Sequence, residues 1–245
     1  MKILISSHAF APSIGGIETV SALLADEFVR LGHPVTMVTQ TPADKIDALA
    51  YRIMRQPSLR ELGQAIKWSD IFWQNNLSLR TLWPALLASR PIVITHQGSY
   101  CRAPRGIDFL QRCKHFIVGR TKSVAISEAV ADCFSTGSTI IHNPYDARNF
   151  PLEGTGSDRT SDLVFLGRLV SEKGVDLLLE ALAILRTRKC FPSLTILGSG
   201  PELSSLQQLT TKLGLDEQVT FRGAKGGEEL RALLRQHKIL AVPSR

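Results

Sequence analysis

The segment Phe165-Leu166-Gly167-Arg168, followed by Lys173-Gly174, places an arginine and a lysine where an apolar run gives way to a helical pattern. Val175, Leu178, Leu179, Leu182 and Leu185 recur with the spacing of one apolar helix face. A helix N-terminus offers unpaired N–H groups and a partial positive charge, so two full cations beside it suit a group bearing two phosphates. Each charge pair is worth about 4 kcal/mol at ~4 Å in a partly screened site. The chemistry this indicates is a diphosphate clamp with Arg168 and Lys173 as its cations. Taken alone, the same pair reads as solvated charges at a helix start.

Two further turns of this kind surround the pair. Pro12-Ser13-Ile14-Gly15-Gly16-Ile17-Glu18 joins a predicted strand, Lys2–Ser6, to a predicted helix, Ile17–Leu31. Without a Cβ, Gly15 and Gly16 let backbone approach a ligand and make positive φ accessible; a plain tight turn is the alternative. Leu194-Thr195-Ile196-Leu197-Gly198-Ser199-Gly200-Pro201 is the third strand-to-glycine-to-helix turn, with a proline suited to a helix start. His96 follows the apolar run Pro91 to Thr95, at the carboxyl end where ligands of open α/β sheets bind, unless it is a structural histidine. Ser127-Glu128 has the form of an N-cap serine followed by a first-turn acid.

The elements that must position these residues alternate. Strands are predicted near Lys2–Ser6, Val35–Thr39, Tyr51–Met54, Ile71–Trp73, Ile92–Thr95, Val124–Ile126 and Thr139–Ile141, with helices between most of them. Such alternation favours a parallel sheet covered on both faces. A stretch rich in Gly, Ser, Thr and Asp then breaks the pattern. A second alternation follows, with strands near Leu163–Gly167, Leu194–Leu197, Val219–Phe221 and Ile239–Val242. The expected organisation is a first α/β domain over 1–150, a linker over 151–161 and a second, partial α/β domain over 162–245.

Composition narrows the classes further. At 44% hydrophobic the chain can bury a substantial core. It has no apolar run of membrane-spanning length, and its start, Met1-Lys2-Ile3-Leu4-Ile5, leads directly into a strand, so a cytoplasmic location is expected. Cys101, Cys113, Cys133 and Cys190 show no Cys-x-x-Cys pairing, so reduced thiols are expected and no metal or redox motif. The net charge of +7 is partly concentrated between Gly98 and Lys122, where Arg102, Arg105, Arg112, Lys114, Arg120 and Lys122 face the single acid Asp108. With Ile107, Leu110 and Phe116 among them, this reads either as a basic helix on an anionic membrane at the inner face or as an amphipathic helix packed on the sheet. The charges are not interleaved with aromatic residues, so nucleic acid is not an expected partner.

Together these residues resemble the family-4 glycosyltransferases, retaining enzymes of the two-lobed GT-B fold. The resemblance is carried by Gly15-Gly16 with Glu18, Gly32-His33-Pro34-Val35, Thr95-His96, Ile126-Ser127-Glu128 and Asn143-Pro144. It continues through Gly167-Arg168 with Lys173-Gly174, Gly198-Ser199-Gly200-Pro201, Phe221-Arg222-Gly223 and Val242-Pro243-Ser244. It implies two doubly wound Rossmann-like domains, the second incomplete, and transfer of a sugar from a nucleotide diphosphate donor to a glycan or lipid-linked acceptor. The nucleotide-sugar would be a substrate, with no cofactor. Arg168 and Lys173 would be catalytic, stabilising the departing diphosphate in place of a metal, for which no Asp-x-Asp motif is present. Gly15, Gly16, His96, Ser127, Glu128 and Gly198 would bind substrate. In the family, an E-x7-E region follows the Pro-Ser segment, whereas this sequence ends at Arg245; the expectation is a truncated and catalytically silent chain. Two other readings stay open: a non-catalytic nucleotide-sugar-binding or regulatory module of the same fold, and, more remotely, a Rossmann oxidoreductase. The last would need an early G-x-G-x-x-G, which the chain lacks.

Overall fold

The computed structural model describes residues 1–13, 15–43, 49–98, 116–134, 137–147, 150 and 159–245. They form two compact units, Met1–Tyr145 and Asp146–Arg245. Residues 151–158 of the expected linker, and Arg102, Arg105, Asp108, Arg112 and Lys114 of the basic stretch, lie outside the described residues.

The first unit is a seven-stranded parallel sheet. Its strands are β1 (Ile3–Ser7), β2 (Val35–Thr39), β3 (Arg52–Arg55), β4 (Ile71–Asn75), β5 (Ile92–His96), β6 (Lys122–Ala125) and β7 (Thr139–Ile140), in the order β3-β2-β1-β4-β5-β6-β7. Successive side chains point to opposite faces. Ile3, Ile5 and Met37 share one core with Ala25 of α1 (Gly16–Arg30). Leu4, Val38 and Phe72 share the other with Leu62 and Ile66 of α2 (Leu59–Trp68), Leu82 and Ala85 of α3 (Leu79–Leu86) and Val130 of α4 (Glu128–Ala131). Helix α2 starts at a capping box: the Ser58 hydroxyl accepts from the Glu61 amide, and the Glu61 carboxylate accepts from the Ser58 amide at 2.9 Å. The strands after β1 spread first one way and then the other, so the carboxyl ends of β1 and β4 flank the topological switch point.

The second unit is a four-stranded parallel sheet of β8 (Ser161–Leu166), β9 (Leu194–Leu197), β10 (Val219–Gly223) and β11 (His237–Leu240), in the order β10-β9-β8-β11. Helices α5 (Val175–Thr187), α6 (Leu203–Lys212) and α7 (Gly227–Gln236) follow β8, β9 and β10 in turn. Phe165, Val175, Leu179, Leu182, Ile196, Leu206 and Val219 form its core. The switch point here lies between β8 and β11. Strand β11 begins two residues earlier than predicted because His237 is an anchor. Its Nδ1 bonds the Leu233 carbonyl at 2.6 Å, ending α7, and its Nε2 bonds the Thr195 hydroxyl at 2.8 Å.

Cys133 is disulfide-bonded, which corrects the expectation of reduced thiols at that residue; pairing depends on proximity in the fold, not on spacing in the sequence. Among the described residues no helix is long and apolar enough to cross a membrane.

Candidate active site

At the carboxyl edge of the second sheet, two loops are bonded to one another. The Gly167 amide donates to the Leu197 carbonyl at 3.0 Å, the Leu169 amide to Ser199 at 2.9 Å, and the Glu202 amide to Leu169 at 3.2 Å. Gly198 lies at φ +155°, and a Cβ there would overlap the Gly167 carbonyl oxygen. Gly174, buried at φ +65°, opens α5 in the left-handed region, and a Cβ there would overlap the Pro243 carbonyl oxygen. Glycine is required at both positions for conformation and for space.

The cations of this edge divide into two kinds. Arg245 is fully engaged: its guanidinium donates to the Ser171 carbonyl and to the Asp176 carboxylate at 2.6 Å, and its amide donates to Glu172 at 2.9 Å. That bond to Arg245 holds the Asp176 carboxyl below its usual range. Arg168, exposed at the end of β8, and Lys173, half-buried in the 3₁₀ turn Ser171–Lys173, have no side-chain hydrogen-bond or ion-pair partner among the described residues. The Asp176 carboxylate, in the first turn of α5, is already taken by Arg245. Two unpaired cations on one loop at a switch point can receive an anion without first breaking a bond.

The first unit places the other predicted residues differently. Gly15 is the N-cap of α1 in extended backbone, at φ −176°, so positive φ is not the reason for a glycine there. A Cβ at Gly15 would meet the Glu18 carboxylate, which accepts from the Ser13 hydroxyl at 2.9 Å, whereas the space around Gly16 is open. His96 is fully buried, its ring 4.1 Å from that of Phe134 and its Nε2 3.0 Å from the Ser123 hydroxyl. Burial pushes its imidazole down to about 4, keeping it neutral. The side chain expected to face a ligand is instead buried, beside Phe134 and Ser123. Ser127 caps α4, its hydroxyl accepting from the Val130 amide, and Glu128 is exposed in the first turn.

A polar network at the switch point of the first sheet was not among the predicted site residues. Buried Asn75, ending β4, donates to the Ile17 carbonyl at 3.1 Å and the Ser21 hydroxyl at 2.7 Å, both on α1. Ser21 in turn donates to Ser7 at the end of β1, at 2.9 Å. The Gln97 side chain donates to Oδ1 of Asn75 and accepts from the Asn143 side chain, each at 2.8 Å. The available signal was a polar residue at the end of each apolar strand: Ser7, Asn75 and Gln97.

Residues 154–245 match the family "Glycosyl transferases group 1". The whole chain is similar to the GDP-mannose-dependent alpha-(1-6)-phosphatidylinositol monomannoside mannosyltransferase of Mycolicibacterium smegmatis, at 28% identity over 99% of this chain and 72% of the relative. It is also similar to the GDP-mannose:cellobiosyl-diphosphopolyprenol alpha-mannosyltransferase of Xanthomonas oryzae pv. oryzae, at 25% identity over 100% of this chain and 73% of the relative. Among solved structures, HepE of Anabaena, in complex with UDP and glucose, superimposes with a TM-score of 0.77 and 18% identity, over 100% of this chain and 74% of HepE. The fold is therefore that of the GT-B glycosyltransferases, and the expected α/β architecture of parallel sheets is present.

Proposed function

We propose that this chain, a glycosyltransferase with a group 1 domain over residues 154–245, moves a hexose from a nucleotide diphosphate to a hydroxyl of a lipid-linked or glycan acceptor. GDP-mannose is the donor of choice, because both relatives that align along the whole chain are named for it. In the step, the bond from the anomeric carbon to the β-phosphate oxygen breaks and a bond to the acceptor oxygen forms. The hydroxyl proton leaves with the diphosphate, and the configuration is retained. Arg168 and Lys173 neutralise the charge that grows on the leaving diphosphate, aided by the N-terminus of α5. The open Gly15–Gly16 turn, with Ser127 and Glu128, is assigned to the acceptor side in the first unit, and Asn75 holds that turn through Ile17.

The observation that carries this reading is the pair of unpartnered cations beside glycines that no other residue can replace. It is tested by titrating the purified chain with GDP, GDP-mannose and guanosine in the presence of EDTA. Arg168→Ala and Lys173→Ala should each weaken the two diphosphates roughly 10–100-fold, the worth of a charged hydrogen bond, and leave guanosine unchanged. With a donor and acceptor that turn over, each change should cost about 10²–10³ in rate. Equal losses for guanosine, or none for GDP, would remove the clamp assignment.

A further inference from the structure

Helix α3 is apolar on two sides. Thr81, Leu82 and Ala85 are buried against the sheet. Trp83, Leu86 and Leu87 face the other way, and Leu87 is 80% exposed. A helix with apolar residues all round is normally buried all round; here Trp83, Leu86 and Leu87 are exposed. Arg80 and Arg90 stand one turn before Trp83 and one turn after Leu86, and both are exposed. The indole N–H of Trp83 has no partner among the described residues. In the same helical layer, Phe116 is 61% exposed with the Arg120 guanidinium 3.6 Å from its ring centroid, while Val118 of that turn joins Leu82 and Ala85 in one core.

The stretch of sequence that carries this face is one-sided in charge. From residue 71 to 127 the sequence holds eight lysines and arginines and one acid, Asp108. That excess equals the whole net charge of +7, so the rest of the chain is balanced. A second protein would need an acidic and apolar patch of matching shape, whereas a bilayer containing anionic lipid supplies both properties over any footprint. Tryptophan, with an apolar ring and a polar N–H, suits the boundary between headgroup and acyl chain.

We infer that the Trp83–Leu86–Leu87 face of α3 is a membrane-docking surface for anionic bilayers, anchored by Trp83 and Leu87 and attracted by Arg80 and Arg90. This goes beyond the proposed transfer and does not depend on it, because docking needs neither donor nor clamp.

The test is co-sedimentation of the purified chain with vesicles of phosphatidylcholine alone or mixed with phosphatidylglycerol, at low and high salt, with Trp fluorescence recorded in parallel. The chain should bind the mixed vesicles with a blue shift, release them at high salt, and ignore phosphatidylcholine. Trp83→Gln/Leu87→Gln should lower partitioning on the order of tenfold. Arg80→Glu, on an exposed position that leaves the core untouched, should lower it at least about fivefold. Circular dichroism confirms that each variant folds. Equal binding to neutral vesicles, no binding to anionic ones, or undiminished binding by both variants overturns the proposal. So does a lipid-free dimer that Trp83→Gln/Leu87→Gln dissociates, which would assign the face to a second copy of the chain.

Discussion

At the scale of single residues, the glycines of the two units behave unlike one another although the same dipeptide pattern draws attention to both. Gly198→Ala forces a Cβ onto the Gly167 carbonyl at a φ that L residues rarely adopt, so it should cost about 2–4 kcal/mol in urea unfolding. Gly16→Ala meets open space at the first position of α1 and should leave stability within about 0.5 kcal/mol, or raise it. Comparable costs at the two positions would contradict the packing described here. His96 offers a pH-dependent counterpart. Its imidazole falls from 6.5 to about 4 because it is buried. The unfolded chain therefore takes up a proton in that window which the folded chain refuses, and stability must fall as the pH drops through it. The loss should be on the order of 2–3 kcal/mol. His96→Gln should flatten the dependence of the urea midpoint between those pH values; a slope that survives the change would place the titration elsewhere.

At the scale of elements, strand positions could be read in the sequence because short β-branched and apolar runs alternate with helix-period segments, and each such run became a strand. The Arg168–Lys173 loop was also legible, since strand, glycine, cation and helix are contiguous. Strand β11 was read two residues late: the residue that starts it, His237, looks polar and earns burial only through Leu233 and Thr195. The network around Asn75 was not legible for a related reason. Its bonded partners are separated by up to 58 residues, as Asn75 is from Ile17, and only the strand order brings them together. Asn75→Ala would strand the Ile17 carbonyl and the Gln97 amide, at a cost of about 2–3 kcal/mol. The same change should loosen amide hydrogen exchange at the first turn of α1. Protection unchanged there would mean that the network does not hold the Gly15–Gly16 turn.

At the scale of the whole molecule, the chain contains two separate units and one concentrated charge, and these have different consequences. The charge lies within one unit, so the attraction it exerts on an anionic partner falls with salt without touching the other unit's contacts. The second unit has its own history. The loop bearing Lys173 is moulded by the Pro243 carbonyl pressed against Gly174 and by Arg245, which grips Asp176 from 69 residues away. A ribosome delivers the chain from its N-terminus at ~5–20 residues per second. Strands β8, β9 and β10 can pair as they emerge, but the Lys173 loop waits roughly 4–14 s more for its mould. Under the proposed function, the nascent protein should not bind nucleotide during that interval, so a half-made copy would not sequester donor from finished ones.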